Sequence, residues 1–210
     1  MRMDTPATPS SPGPRMDENV LAAMARWPDV PHAHGWLSLD ARGRLRLHPD
    51  GASAQGGAGE PITHAGVLDF LHRHYTHDER GAWYIQNGPQ RAYVRLDAAP
   101  YILRRGPDGK GLWTHTGLRV AQVSRWILDD DGHVYACTEH GPGRVEDREL
   151  ASLLADLRDA QGLSLLDAME GTAGPGPWQL GSSPDAPATL EHRAARDIPQ
   201  ALGFLRQTTP

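Results

Sequence analysis

At 210 residues, 22% charged and 39% apolar, the chain has the composition of a soluble globular protein with one sizeable core or two small ones. A formal net charge of −5 argues against general affinity for nucleic acid. Cys137 is the only cysteine, which excludes an internal disulfide framework and a cysteine zinc cluster, and no stretch reaches the roughly 18 consecutive apolar residues of a membrane span. The first residues lack the apolar core of a secretory leader, so the expected location is the cytoplasm.

Residues 1–17 are rich in Pro, Ser and Thr and form a disordered tail by composition. Residues 18–27 space Val20, Leu21, Met24 and Trp27 along one helical face, with Asp17 as the cap and Pro28 as the stop. Residues 35–48 predict a hairpin: Trp36, Leu37 and Leu39, a turn at Asp40 to Gly43, then Leu45 and Leu47 at period two. Residues 49–59 form a glycine-rich loop without an apolar anchor. A short helix over about 63–75 follows, capped by Thr63, with Val67, Leu68, Leu71 and Tyr75 on one stripe.

The most informative stretch is 78–101. Trp83, Tyr84 and Ile85 and then Tyr93, Val94 and Leu96 are strong strand formers around Asn87-Gly88-Pro89. Pro89 favours a loop slightly longer than two residues. On the second strand, Ala92, Val94 and Leu96 make the core face, while Arg91, Tyr93 and Arg95 share the other, with Gln86 or Trp83 opposite. Two forked donors beside a ring read either as a solvated face or as an anion site.

Further strands are predicted at about 100–105, at 112–116 after the turn Gly106-Pro-Asp-Gly-Lys-Gly111, and at 120–128 and 133–139 about an Asp-Asp-Asp-Gly turn. Residues 147–160 carry the clearest helix, with Asp147 as cap, a Leu150, Leu153, Leu154, Leu157 stripe and Gly162 as terminator; 163–170 extend it. Residues 171–210 read as a Gly/Pro linker holding Trp178 and a weakly helical tail broken by Pro199. The element order is α+β, an antiparallel meander or β-roll with helices on one side, either one domain over 18–170 or two subdomains at about 32–97 and 98–170. Parallel crossovers are not indicated, which sets aside the usual nucleotide-binding architectures.

Charge is unevenly placed. Residues 80–125 hold eight basic residues against two acids, a balance of +6, and residues 126–170 hold eleven acids against three arginines, a balance of −8. No motif for catalysis stands out. Gly109-Lys110 mimics a P-loop tail, but Gly111 replaces the Ser or Thr and no helix follows. His72, His74 and His77 with Asp78 and Glu79 lack i, i+4 pairing for a metal, and Asp129 to Asp131 lack the alternating spacing of a calcium loop. His115 and Asp97 are the acid–base candidates, and Cys137 reads as an inert half-buried thiol.

The series E-P-I-T (60–63), D-E-x-G-x-W (78–83), D-A-A-P-Y (97–101) and W-T-x-T-G (113–117) resembles proteobacterial proteins of the DUF1285 type, over roughly residues 33–140. Thr114-His115-Thr116-Gly117 stands where those relatives carry an Asn-containing turn, and 52–59 is an insertion. The resemblance implies a small α+β or β-roll architecture and no activity. The expected function is a non-enzymatic small-anion-binding or regulatory module, with Arg91, Tyr93, Arg95, Trp83, Gln86 and His115 as ligand-binding residues and no catalytic or metal-ligating residue. No cofactor is expected. The expected partners are a small anionic ligand or an acidic protein, not nucleic acid or membrane. The alternatives are a hydrolase using His115 and Asp97 or a histidine-held metal, and a protein–protein adaptor.

Overall fold

The computed structural model describes residues 18–26, 30–170, 179–180 and 188–208. The expectations for the tail over 1–17, for Trp27 and for the stretch around Trp178 lie outside them. Helix α1 (Glu18–Arg26) precedes strands β1 (Ala33–Leu39), β2 (Leu45–Leu47) and β3 (Glu60–Pro61). Helix α2 (Ala65–Arg73) leads into β4 (Tyr75–His77), β5 (Trp83–Asn87) and β6 (Gln90–Leu96). A second group comprises β7 (Tyr101–Arg105), β8 (Leu112–Thr114), β9 (Arg119–Val120), β10 (Val123–Asp129), β11 (Val134–Thr138) and β12 (Gly141–Val145). Then come α3 (Leu150–Asp156), β13 (Leu157–Arg158), α4 (Leu165–Glu170), β14 (Gln179–Leu180), β15 (Thr189–Arg193) and α5 (Ile198–Leu202).

One local device makes many of these reversals. Residues 40–44, 78–82, 129–133 and 159–163 all read Asp-x-x-Gly-x. In each, the Asp amide donates to the carbonyl four residues on, at 3.0 to 3.1 Å, and the Gly amide donates back to the Asp carbonyl. The Asp Oδ1 accepts from the third and fifth amides of the turn, at 2.7 to 3.0 Å. The glycine takes the left-handed φ, +71 to +85°, that closes a turn with a one-residue bulge and that a side chain resists. Thr114–Leu118 is the same turn with Thr114 Oγ1 in place of the carboxylate, accepting from the Leu118 amide at 3.0 Å.

The strands assemble into a six-stranded sheet, β3-β2-β1-β6-β5-β4, and a seven-stranded one, β15-β10-β11-β12-β7-β8-β9; β13 and β14 pair separately. The fold class is α+β. Both larger sheets are mixed, because β1–β6, β12–β7 and β10–β15 pair in parallel. The expected antiparallel meander holds between sequence neighbours, and the parallel pairs join strands distant in sequence: alternation along a strand marks the strand, while pairing between distant strands is decided by packing. Leu45, Leu39 and Leu96 fall into one register row across β2, β1 and β6, with Leu47, Leu37 and Val94 beside it. All of these but the exposed Leu47 join Leu103, Leu112, Trp126, Ile127, Leu153 and Phe204 in one contiguous apolar core that both sheets share.

Several boundaries move for physical reasons. The β5–β6 pairing runs to Asn87 opposite Gln90, so Gly88-Pro89 is a two-residue loop after all: Gly88 supplies the positive φ and Pro89 sits where a negative φ is wanted. His64, not Thr63, caps α2, its ring accepting from the Val67 amide. The 147–160 helix is a 3₁₀ turn followed by α3, and it ends at Asp156 because Leu157 turns extended into the core. The segment read as a C-terminal tail supplies β15, and Pro199 starts α5 rather than breaking it.

Candidate functional site

The core rows of the six-stranded sheet leave the alternate side chains on its other face. Arg46, Ser38 and Arg95 form one such row across β2, β1 and β6. Arg46 donates to Asp40 Oδ2 at 3.0 Å and to the Gly59 carbonyl at 3.2 Å. Ser38 Oγ and His48 Nε2 lie 2.9 Å apart, both buried. Arg95 pairs with Asp97 at 3.0 Å and donates to the Gly57 carbonyl at 3.3 Å. Its Nε is enclosed without an acceptor.

The glycine-rich loop reaches this row because it carries no side chains where it touches. A Cβ on Gly59 would lie 2.7 Å from His48 Nε2, and one on Gly56 would lie 3.8 Å from Arg95 Nη1. The opposite wall is the C-terminal segment. Leu205 donates to the Gly81 carbonyl at 2.9 Å, and the Leu96 amide donates to the Arg206 carbonyl at 2.7 Å. Arg206 Nη1 then reaches the Asp97 carbonyl at 3.3 Å. Between loop and segment opens a cleft of 410 Å³ lined by Gly56, Gly57, Arg95, Asp97, Arg206 and Gln207. On the far side of the loop lies a second cleft, of 530 Å³, with His48, Gln55 and Glu60 on its walls.

Electrostatics follow from these contacts. Burial raises the Asp97 carboxyl above its ordinary range against the pull of Arg95. Burial, and then Arg95, lowers the His48 imidazole. Burial opposes ionisation of Asp40, but the Arg44 amide, the Arg46 and Arg44 guanidiniums and the Arg42 amide outweigh it and hold that carboxyl low.

The six residues expected from sequence do not meet at one place. Tyr93, Gln86 and Arg91 share the outer face with Tyr84: Tyr84 stands opposite Tyr93, and Gln86 opposite Arg91. The Tyr93 ring stacks on His34 at 4.6 Å, and its hydroxyl donates to Asp78 Oδ2 at 3.3 Å. The Arg91 guanidinium lies 4.7 Å over the Tyr84 ring, a cation–π contact, rather than beside Arg95. Gln86 is buried, donating to the Gly88 carbonyl. Trp83 and His115 lie elsewhere, among Tyr75 and Tyr101. His115 sits in the Thr114–Leu118 turn against Gly43; its Nδ1 accepts from the Ile102 amide, its Nε2 has no partner, and burial pushes its pKa down to about 3. Its charged neighbours are His72, Arg104 and Asp40, whereas those of Asp97 are Arg95, Asp40, Arg46 and His48.

His72 faces His115 edge-on at 5.7 Å, and His77 packs on Trp83 at 4.9 Å, so these two histidines do not converge on one centre. Among the described residues, Asp129, Asp131 and His133 do bring ligand atoms within 4.8 Å of one another. The Asp129 carboxylate is occupied by the turn, however, accepting from two amides and pairing with the His133 ring. Sequence reasoning missed Arg46, His48 and Arg206. The period-two run Arg44, Arg46, His48 carried a legible signal for the first two; Arg206 carried none.

A mixed-sheet α+β protein with a basic cleft under a glycine loop is thus the class that fold and geometry define. The chain belongs to the DUF2944 family, described as "Protein of unknown function (DUF2946)", whose model matches residues 16–209. It is similar in structure to a DUF1285 family protein from Silicibacter pomeroyi DSS-3, at 14% identity over 83% of this chain and 96% of that one, with a TM-score of 0.47. It is also similar to a DUF1285 family protein from Shewanella baltica OS155, at 17% identity over 54% of this chain and 86% of that one, with a TM-score of 0.38. DUF1285 is the type that the motif series of residues 33–140 resembles. No curated protein matches. Among the described residues no helix is long and apolar enough to cross a membrane.

Proposed function

We propose that the protein is a non-enzymatic module that binds a small carboxylate- or phosphate-bearing ligand in the cleft between Gly56–Gly57 and Arg206–Gln207. The observation that carries this reading is the convergence of two guanidiniums, from β6 and from the C-terminal segment, on the walls of one cleft. Arg95 is fixed through Nη2 by Asp97 and the Gly57 carbonyl, with its Nε enclosed, and Arg206 spends Nη1 on a backbone carbonyl, so the remaining amino groups of both forks are what a ligand would meet. Arginine forks in fixed positions suit planar oxyanions. Two charge-assisted hydrogen bonds contribute about 3–6 kcal/mol, which corresponds to dissociation constants from millimolar to tens of micromolar. A hydrolytic role has less support: Ser38 and His48 are both enclosed, and His115 is buried away from Asp97.

The test is thermal shift against inorganic phosphate and small di- and tricarboxylates. Wild type should be stabilised by at least one of them. Arg206→Ala should abolish the shift and Arg91→Ala, on the Tyr84 ring, should keep it. A panel that moves both variants as it moves the wild type would remove the cleft from consideration.

A further inference from the structure

The basic turn Gly106-Pro-Asp-Gly-Lys-Gly111 is not used by the cleft described above. It closes like the aspartate turns: Gly106 donates to the Lys110 carbonyl at 3.2 Å, and Gly109 donates to the Gly106 carbonyl at 2.8 Å. The Lys110 amide is further held by Asp108 Oδ1 at 2.9 Å. The turn leans toward the end of α3 and opens a cleft of 790 Å³ whose walls include Arg105, Gly109, Lys110, Ser152, Asp156 and Arg158. Cβ atoms on Gly109 and Gly111 would meet nothing within 4 Å, so the backbone of the turn is open to an approaching group.

Arg105 is the fixed member of this set. Its Nη2 donates to the Ser152 carbonyl at 3.1 Å and to Asp156 Oδ2 at 2.8 Å. Those contacts tie the arginine to α3 and neutralise the one acid among the lining residues. Its Nη1 is enclosed and has no acceptor among the described residues. Arg158 spends Nη1 on the Gly162 carbonyl at 2.9 Å, and Lys110 forms no ion pair among the described residues. Among the lining residues three cations stand against one paired acid, and Asp108 of the same turn is engaged by the Lys110 amide.

We infer that this cleft binds a phosphomonoester, with the exposed Lys110 and Arg158 holding the dianionic oxygens and the anchored Arg105 supplying a third positive charge behind them. A carboxylate carries one charge and two oxygens and would leave one of the three cations unmatched; a phosphomonoester carries close to two charges and three acceptor oxygens. A protein side chain and a small molecule are the two possible bearers of the phosphate, since both present the same oxygens. The site is separate from the Arg95–Arg206 cleft and does not rest on it.

The experiment is an amide NMR titration of the full chain carrying Arg206→Ala, which silences the first cleft. The probes are inorganic phosphate, O-phosphoserine and a short phosphoserine peptide, with the unphosphorylated peptide as control. Saturable shifts centred on residues 109–111 are expected, with affinity about tenfold weaker in Lys110→Ala and in Arg158→Ala, as loss of one charge-assisted bond requires. Both substitutions alter exposed side chains, so folding is preserved. Tighter binding of the peptide than of O-phosphoserine assigns the ligand to a phosphoprotein, and equal binding assigns it to a small phosphate ester; both support the site. Shifts that do not saturate, or saturable shifts that survive both substitutions, overturn it.

Discussion

Replacing Gly43 by alanine tests the junction on which the two sheets meet. Gly43 has φ +71°, and a Cβ there would lie 2.7 Å from His115 Cβ and 3.2 Å from Ile102 Cβ. Left-handed backbone costs a side chain about 1–2 kcal/mol, and forcing a methyl into a filled contact costs about 1–3 kcal/mol more. The loss is therefore about 2–5 kcal/mol, or roughly 5–20 °C in Tm for a chain of this size. Gly132→Ala is the internal control. It occupies the same place in the same turn, with φ +85°, but a Cβ there meets nothing within 4 Å. It should lose only the backbone part, about 1–2 kcal/mol. Thermal and urea unfolding of both variants, with matching transitions by two probes, measures the difference. Equal losses would refute the argument, because the 40–44 turn would then not be seated on the 114–118 turn.

The titration of His115 gives a signed pH prediction. Its folded pKa is lowered to about 3 while an unfolded histidine titrates near 6.5, so the unfolded chain binds the extra proton in between. That contribution to stability is complete above pH 6.5 and is lost as pH falls toward 3, at up to about 1.4 kcal/mol per pH unit. His115→Phe should reduce the slope of the unfolding midpoint between pH 6.5 and 4.5 without abolishing it, because burial also lowers His34, His48 and His72; an unchanged slope would exclude the buried His115 imidazole as a source. Phe204→Ala should cost about 3–5 kcal/mol, the range for emptying a fully packed aromatic site, because Phe204 is only 2% exposed. A denaturation midpoint within error of wild type would show that residues 203–206 are not part of the cooperative unit.

The strands within 35–47, 83–96, 101–105, 112–114 and 123–138 were legible because their causes are local, whereas Tyr75, expected on the 63–75 helix, opens β4, and β12 (Gly141–Val145) carried no period-two apolar run. Period-two runs such as Leu37, Leu39 and Leu45, Leu47 specify a face, and the register then aligns Leu39 with both Leu45 and Leu96. The Asp-x-x-Gly-x turn was equally open to inspection, since its aspartate, its glycine and their spacing are all in the text of the chain. What local pattern could not carry was the pairing of β1 with β6, or of β10 with β15, which joins residues 125–129 to 189–193. Such contacts are chosen by which apolar rows can be buried together, and many arrangements share one alternation. Leu157 shows the same limit on a smaller scale: it continues a helical stripe in sequence, yet it turns extended because burying it completely outweighs one more helical hydrogen bond.

The candidate cleft shows why a correct face does not yet make a site. Alternation places Arg91, Tyr93 and Arg95 on one side of β6, and the structure puts them there. Their partners then separate them: Arg91 lies on the Tyr84 ring, Tyr93 reaches Asp78, and Arg95 turns to Asp97 and Gly57. The guanidinium that does join Arg95 is that of Arg206, held there by backbone hydrogen bonds from Leu96 and to Gly81. Its position depends on a chain segment that bonds the end of β6 and the 78–82 turn, and no side-chain pattern encodes that contact. The same logic separates the two clefts experimentally. Each sets an arginine, anchored through Nη2 by one carboxylate and one carbonyl, beside a second cation from a different segment. Arg206→Ala and Lys110→Ala therefore remove one cation apiece without disturbing the anchored arginine, and their effects on anion binding should be independent, because Asp97 and Asp156 partner different guanidiniums.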